Sequence, residues 1–297
     1  MASPTFNENS EINKSFDFIF FDEAGQLSLS HVIASSMAAK NIILVGDHMQ
    51  LPRPSSGAKD EGNASLSPVE YIMGEKNTID DSKGIFLEKT FRMHSKISQY
   101  ISDNFYEQRL KPDKNNDKQN ILINKKNLNG IYLLDLDHKQ SSVQNEVEAN
   151  YIKNLYERLI GKKWIDKNES IKTIKEEDIL VVSPFNAQVN LIKEKLSVKA
   201  RVGTIDIFQG QESPIVIASY ATSSPEEIGL SRGSDFFFDF RRLNVSLSRA
   251  RSLAIILFNK KLLNYNCSNI EDIERLNYFC KLKKYDYNPE MFLETLD

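Results

Sequence analysis

At 297 residues, 40% of them hydrophobic and 27% charged, the chain has an ordinary soluble composition and room for one large domain or two small ones. A net charge of −3 excludes a globally basic surface, so any grip on nucleic acid must come from local clusters. Two distant cysteines (Cys267, Cys280) and four scattered histidines (His31, His48, His94, His138) exclude a zinc constellation and read as those of a reduced, cytoplasmic protein. No apolar run reaches transmembrane length, so no membrane partner is expected.

Residues 1–15 are polar and acidic, unlike a signal sequence, and read as a disordered tail. The chain then runs apolar through Phe18–Phe21 with no helical period, which predicts a strand buried on both faces of a sheet. Asp22 and Glu23 follow it. In an open α/β sheet ligands sit outside the carboxyl ends of strands, and two carboxylates there suit nucleotide hydrolysis, one for Mg²⁺ and one to orient a water. The pair by itself also fits a solvated acidic turn. After a helix-compatible stretch, Ser30–Ala39, a second apolar strand at Ile42–Val45 also ends in a carboxylate, Gly46-Asp47, with Gln50 and Pro52 beyond.

Arg53–Asn63 reads as a Gly/Ser/Pro loop, Ser67–Gly74 as a short helix and Ile85–Leu87 as a brief strand or linker. A helix is predicted from about Ser95, because Ile97, Ile101 and Phe105 recur near helical spacing. Lys111–Asn129, rich in Lys, Asn and Asp, reads as a surface excursion or inserted loop. A strand at Gly130–Leu136 precedes an amphipathic helix at Asn145–Leu159, whose apolar face holds Val147, Tyr151, Ile152, Leu155 and Leu159. Trp164 reads as a packing anchor ahead of a base-stacking platform. Strands at Asp178–Val182, Val202–Thr204, Ile215–Tyr220 and Leu253–Phe258 alternate with helices at Ala187–Leu196 and Phe240–Ala250. Between the last of these lies a polar connection, Ser223–Asp239, and a helix is expected in Asn269–Leu282. Such alternation argues for an α/β fold with a mostly parallel sheet and flanking helices.

Six segments, in this order, resemble the motifs of superfamily 1 helicases, in the branch of the nonsense-decay and Okazaki-fragment-processing enzymes. DEAGQ (Asp22–Gln26) is similar to motif II and GDHMQLP (Gly46–Pro52) to motif III. FRMH (Phe91–His94) resembles a YRMHP motif with Ser95 in place of proline, and SPFNAQ (Ser183–Gln188) resembles an SPYNAQ segment. VGTIDIFQGQE (Val202–Glu212) and RRLNVSLSRAR (Arg241–Arg251) look like motifs V and VI. The DEAGQ variant with FDFRRLNVSLSRAR looks closest to bacterial fusions of such a helicase with a RecB-like nuclease.

The resemblance implies a P-loop NTPase (RecA-like) architecture, ATP and Mg²⁺ as cofactors, and single-stranded DNA or RNA as partner. Asp22 would hold Mg²⁺, Glu23 would position the attacking water, and Gln50 would sense the γ-phosphate. Arg92 and Arg249 would be arginine fingers. Glu212 would touch the ribose, with Gln209 and Gly210 in a turn beside it. Pro52, Ser183, Pro184, Asn186 and Thr204 would line the nucleic-acid groove, and movement would run 5′ to 3′.

No Walker A pattern, G-x-x-x-x-G-K-[ST], occurs in the sequence. The expected organisation is therefore a tail (1–15), the later part of a first RecA-like domain (16–83) beginning at its Walker B strand, and a complete second one (84–297). Three explanations stand open: a fragment, a Walker A half supplied by another polypeptide, or decay. Decay removes catalytic charges first, and Asp22, Glu23, Arg92 and Arg249 are all present, which favours a fragment. The expected activity is ATP-driven translocation, inactive in the chain alone. The alternative is a non-catalytic nucleic-acid-binding module or split-helicase subunit.

Overall fold

The computed structural model describes residues 16–52, 66–124, 126–230 and 232–297. The expected tail (1–15) and the whole of the expected Arg53–Asn63 loop lie outside the described residues. The chain divides into two compact units, residues up to Phe86 and from Leu87 onward.

In the first unit, β1 (Phe16–Phe21) and β2 (Ala39–Leu44) pair in parallel, joined through α1 (Leu29–Ser36). Ser28 starts α1 by accepting the His31 amide on its hydroxyl. A second helix, α2 (Pro68–Met73), opens with a reciprocal capping box between Ser67 and Glu70 and with Pro68 in its first turn. The expectation that the first strand is buried on both faces is overturned. Phe16, Phe18 and Phe20 are 61%, 57% and 66% exposed. Alternation along a strand throws these three rings to one side, and among the described residues nothing covers that side. Of the two readings of Ile85–Leu87, strand or linker, the structure shows the linker, with Ile85 and Leu87 largely exposed.

The second unit begins with β3 (Lys89–Thr90), α3 (Ser95–Phe105) and β4 (Lys111–Pro112), and β3 and β4 pair in parallel. Lys111–Asn129 is not a surface excursion. It continues through a short 3₁₀ turn into β5 (Asn120–Ile123) and β6 (Lys126–Leu128), and its polar residues Asn116 and Gln119 are fully buried. The Asn116 amide donates to the Thr90 and Met93 carbonyls, so a polar composition here serves backbone bonding and not hydration.

Next come β7 (Gly130–Leu134), α4 (Glu146–Leu159), β8 (Lys163–Ile165), β9 (Ile171–Thr173), β10 (Ile179–Ser183) and α5 (Asn186–Lys195). They are followed by β11 (Arg201–Thr204), β12 (Ser213–Ser219), α6 (Pro225–Leu230), α7 (Ser234–Phe237), α8 (Phe240–Ser248) and β13 (Ala250–Leu257). The chain closes with α9 (Ile270–Cys280), β14 (Asp286–Tyr287) and α10 (Pro289–Leu296). Six strands form one sheet in the order β11-β10-β12-β13-β7-β14, every adjacent pair parallel. β5, β6, β8 and β9 make a separate antiparallel sheet.

The central strands β10, β12 and β13 are buried almost throughout, as parallel strands covered on both faces must be. Val181, Ile217 and Ile255 pack in one core with Ile152, Leu155 and Leu159 of α4, Ile192 of α5 and Phe292 of α10. A second cluster is aromatic: Phe237, Phe238, Phe258 and Phe279 surround Tyr220 and one another at ring separations of 5.0–6.5 Å. Ser223–Asp239 is therefore not only a polar connection: it carries α6 and α7 and drives Phe237 and Phe238 into the core. Trp164 is buried, as a packing anchor should be. Val147 is instead exposed, because the buried position beside it is taken by Glu148. Both cysteines are free thiols, and no described helix is long and apolar enough to cross a membrane.

Candidate nucleotide and nucleic-acid sites

In the first unit the two acidic motifs are locked together through backbone. The Val45 amide donates to the Phe21 carbonyl at 2.8 Å, and the Ala24 amide donates to the Val45 carbonyl at 2.9 Å. A Cβ on Gly25 would stand 2.7 Å from the Asp47 carbonyl oxygen, and one on Gly46 would stand 2.7 Å from the Ala24 nitrogen. Only glycine at both positions lets the two turns approach this closely. The result places Asp22 and Glu23 beyond the carboxyl end of β1, with Asp47 and Gln50 beyond that of β2.

Glu23 adopts a left-handed backbone (φ 51°, ψ 41°), which costs a side-chain-bearing residue about 1–3 kcal/mol and recurs at functional sites. Its carboxylate accepts from the Gln26 amide at 3.2 Å, and Asp22 Oδ1 accepts from the Glu23 amide at 3.0 Å. The Gln50 amide donates to Asp47 Oδ2 at 2.9 Å. Pro52 is exposed. Among the described residues no three His, Cys, Asp or Glu side chains converge as a metal cage. A lone carboxylate is nonetheless compatible with Mg²⁺, which takes one or two protein carboxylates and completes its shell with phosphates and water. Asp22 fits that role.

In the second unit the remaining residues fall at opposite ends of the large sheet. At the amino ends of β12 and β13, Arg92 Nε donates to Glu212 Oε2 at 2.8 Å, and its Nη1 donates to the Ser248 carbonyl at 3.2 Å. Arg251 faces the same carboxylate, at 3.7 Å. Gln119 braces both arginines, donating to the Arg92 carbonyl and accepting from Arg251 Nε. Arg249 is only 3% exposed and donates to the carbonyls of Val245 and Gln211, each at 3.3 Å. Gly210 turns with φ 77°, and the buried Gln209 side-chain nitrogen lacks a partner among the described residues. A buried donor of that kind costs about 1–3 kcal/mol unless a ligand supplies the acceptor.

At the carboxyl ends of β10 and β11, Ser183 and Thr204 are neighbours in register. Ser183 and Pro184 are buried, and the Ser183 hydroxyl accepts the Phe185 amide. Asn186 is exposed in the first turn of α5, and the Thr204 side chain makes no capping bond to the turn it starts. Behind this rim lies a buried polar network. Gln188 accepts the Asn145 amide at 2.7 Å and donates to the Ser219 hydroxyl at 2.9 Å. Ser219 and the Ala221 amide donate to Glu148, whose other oxygen lies 3.1 Å from His138 Nε2. Sequence reading missed this network, since an isolated Glu in an amphipathic helix carries no signal of burial.

Residues 67–261 match a family model described as an AAA domain. The chain belongs to the AAA domain family. Several curated relatives are named as helicases. Helicase sen1 of Schizosaccharomyces pombe is 31% identical over 265 residues, covering 84% of this chain and 15% of that protein. The DNA replication ATP-dependent helicase/nuclease DNA2 of Gallus gallus is 28% identical over 252 residues, covering 83% and 23%. The solved PRRSV helicase aligns with 89% of this AAA domain chain and 50% of its own, at 13% identity and a TM-score of 0.40. The chain thus spans well under half the length of those curated helicases.

Proposed function

We propose that this chain supplies the nucleotide-hydrolysing carboxylates, the arginines and the strand-gripping rim of an ATP-dependent superfamily 1 helicase that moves along single-stranded DNA or RNA. The observation that carries the reading is the paired-glycine contact between Gly25 and Gly46. It brings the turns that carry Asp22, Glu23, Asp47 and Gln50 together at the ends of adjacent parallel strands.

In this reading Asp22 would hold Mg²⁺, whose charge would offset that of the triphosphate. Glu23, fixed in its left-handed turn, orients the attacking water. Gln50, held by Asp47, senses the γ-phosphate. Arg92 and Arg249 neutralise charge developing on the transferred group. Glu212, Gln209 and Gly210 border the nucleoside, with the orphan Gln209 donor meeting a ligand acceptor. Pro52, Asn186, Thr204 and the backbone of Ser183–Pro184 hold the strand by its phosphates without reading bases.

Phosphate grip normally comes from a Walker A loop, which the sequence does not contain. We infer that a Walker A-bearing polypeptide segment, in the same protein or another, completes the site, and the exposed Phe16, Phe18 and Phe20 favour this split arrangement. The test is ATPase activity of the chain with single-stranded nucleic acid, alone and with such a segment. Turnover is expected only in the combined sample, and Glu23→Gln should remove it. Robust turnover by the chain alone would overturn the missing-grip argument.

A further inference from the structure

Three planar side chains cluster beside the rim formed by β10 and β11. The Phe236 ring, on α7, has the Arg232 guanidinium carbon 4.1 Å from its centroid and that of Arg242 at 4.3 Å. One aromatic ring thus has two guanidinium groups within 4.3 Å of its centroid. Phe236 also sits 5.7 Å, centroid to centroid, from Phe185 in the Ser183–Asn186 loop. Arg242 reaches to 3.8 Å from Asp206, two residues beyond Thr204. The cluster therefore touches both loops of the rim.

The two arginines differ. Arg242 is part-buried and bound to Asp239 at 2.8 Å as well as facing Asp206, so its charge is compensated and its place fixed. Arg232 is exposed, and among the described residues no carboxylate pairs with it. A guanidinium held flat by an aromatic neighbour loses little further freedom when a second planar group meets it. Bases stack on Arg planes and aromatic rings whatever their identity, and a cation beside them meets the adjoining phosphate.

We propose that Arg232, supported by Phe236 and Arg242, is a stacking subsite for one base of a single strand, extending the rim at Ser183–Asn186 and Thr204. The proposal rests on the reading of that rim as the nucleic-acid face. Arg242 and Phe236 position Arg232, and Arg232 alone makes the contact.

The test measures binding of the full chain to labelled oligothymidylate and oligouridylate by fluorescence anisotropy over a salt series. Arg232→Ala should weaken binding about tenfold and lower the salt slope by about one. Arg232→Lys, which keeps charge but not the plane, should lose most of the same affinity. Phe236→Leu should do likewise while leaving the melting temperature near that of the unaltered chain. Wild-type affinity in Arg232→Ala would overturn the subsite while leaving the helicase reading standing. Wild-type affinity in Arg232→Lys would show a bare charge contact and overturn stacking. Failure of the unaltered chain to bind either oligonucleotide would overturn both this subsite and the rim.

Discussion

Arg92 donates to Glu212 at 2.8 Å across 120 residues of chain, so a proposed arginine finger is parked on the proposed ribose-binding carboxylate. Both side chains are partly exposed, and exposed ion pairs contribute about 0–1 kcal/mol. Releasing Arg92 toward a phosphate is therefore cheap. Arg92→Ala, in a completed enzyme, should lower kcat about 10³-fold or more with little loss of stability. Steady-state ATPase assays and thermal melts decide it. Normal turnover would place Arg92 outside the reaction.

Arg249 should behave differently. Its guanidinium is buried against the Val245 and Gln211 carbonyls, so Arg249→Ala leaves buried acceptors without their donor. The expected cost is about 2–4 kcal/mol of stability in addition to the loss of turnover. Denaturant unfolding of the two alanine variants, compared side by side, should separate them. Equal midpoints would contradict the burial argument.

Gly25→Ala and Gly46→Ala each drive a methyl group into backbone that cannot rotate away. Either should destabilise the first unit by about 1–3 kcal/mol and displace Asp22 and Glu23. Hydrogen exchange at the Ala24 and Val45 amides is the direct reading. Unchanged protection there would show that the two turns are less tightly joined than their spacing indicates.

His94 carries a pH prediction. Burial lowers its pKa below the ordinary 6.5, against an opposing pull from Asp117. Its Nδ1 accepts the Lys96 amide, a bond that protonation removes. Because the unfolded chain takes up the proton at a higher pH than the folded one, this stability is complete above about 6.5 and is lost as pH falls through the lowered value. Denaturation midpoints between about pH 7 and 5 should decline, and His94→Asn, which keeps a capping acceptor, should flatten the decline. An identical pH profile in the variant would assign the effect to other groups.

Glu148 should be among the costliest single losses in the second unit. Glu148→Ala strands the Ser219 hydroxyl and the Ala221 amide, for about 3–5 kcal/mol. Glu148→Gln keeps the shape and one acceptor and should cost clearly less. Chemical denaturation of both variants measures the difference. A neutral alanine variant would mean that water replaces the carboxylate.

The strands and most helices were legible because apolar runs and helical spacing report burial directly. Ile97, Ile101 and Phe105 placed α3, and the valine- and isoleucine-rich runs placed β10, β12 and β13. Periodicity failed where polar residues fold inward. Asn116, Gln119 and Glu148 are buried because they satisfy backbone groups, and a sequence gives no sign of which carbonyl an amide will meet. It failed in the opposite sense at Phe16, Phe18 and Phe20, whose apolar character correctly marks a strand but not what covers it. The acidic and arginine residues were found through ordered motifs. The placing of Arg92, Arg249 and Glu212 at one end of the large sheet and of Ser183 and Thr204 at the other, and the cluster on Phe236, needed the three-dimensional structure.

The uncovered phenylalanine row also has a practical consequence. Three aromatic rings side by side on a strand form a surface that water does not tolerate at high protein concentration, and a strand so exposed invites pairing with other chains. Solubility of this chain should then be governed by mass action: the soluble yield rises with the concentration of whatever shields the row and falls with that of the chain itself. Co-expression, more than temperature or buffer, becomes the variable that sets how much usable protein can be recovered.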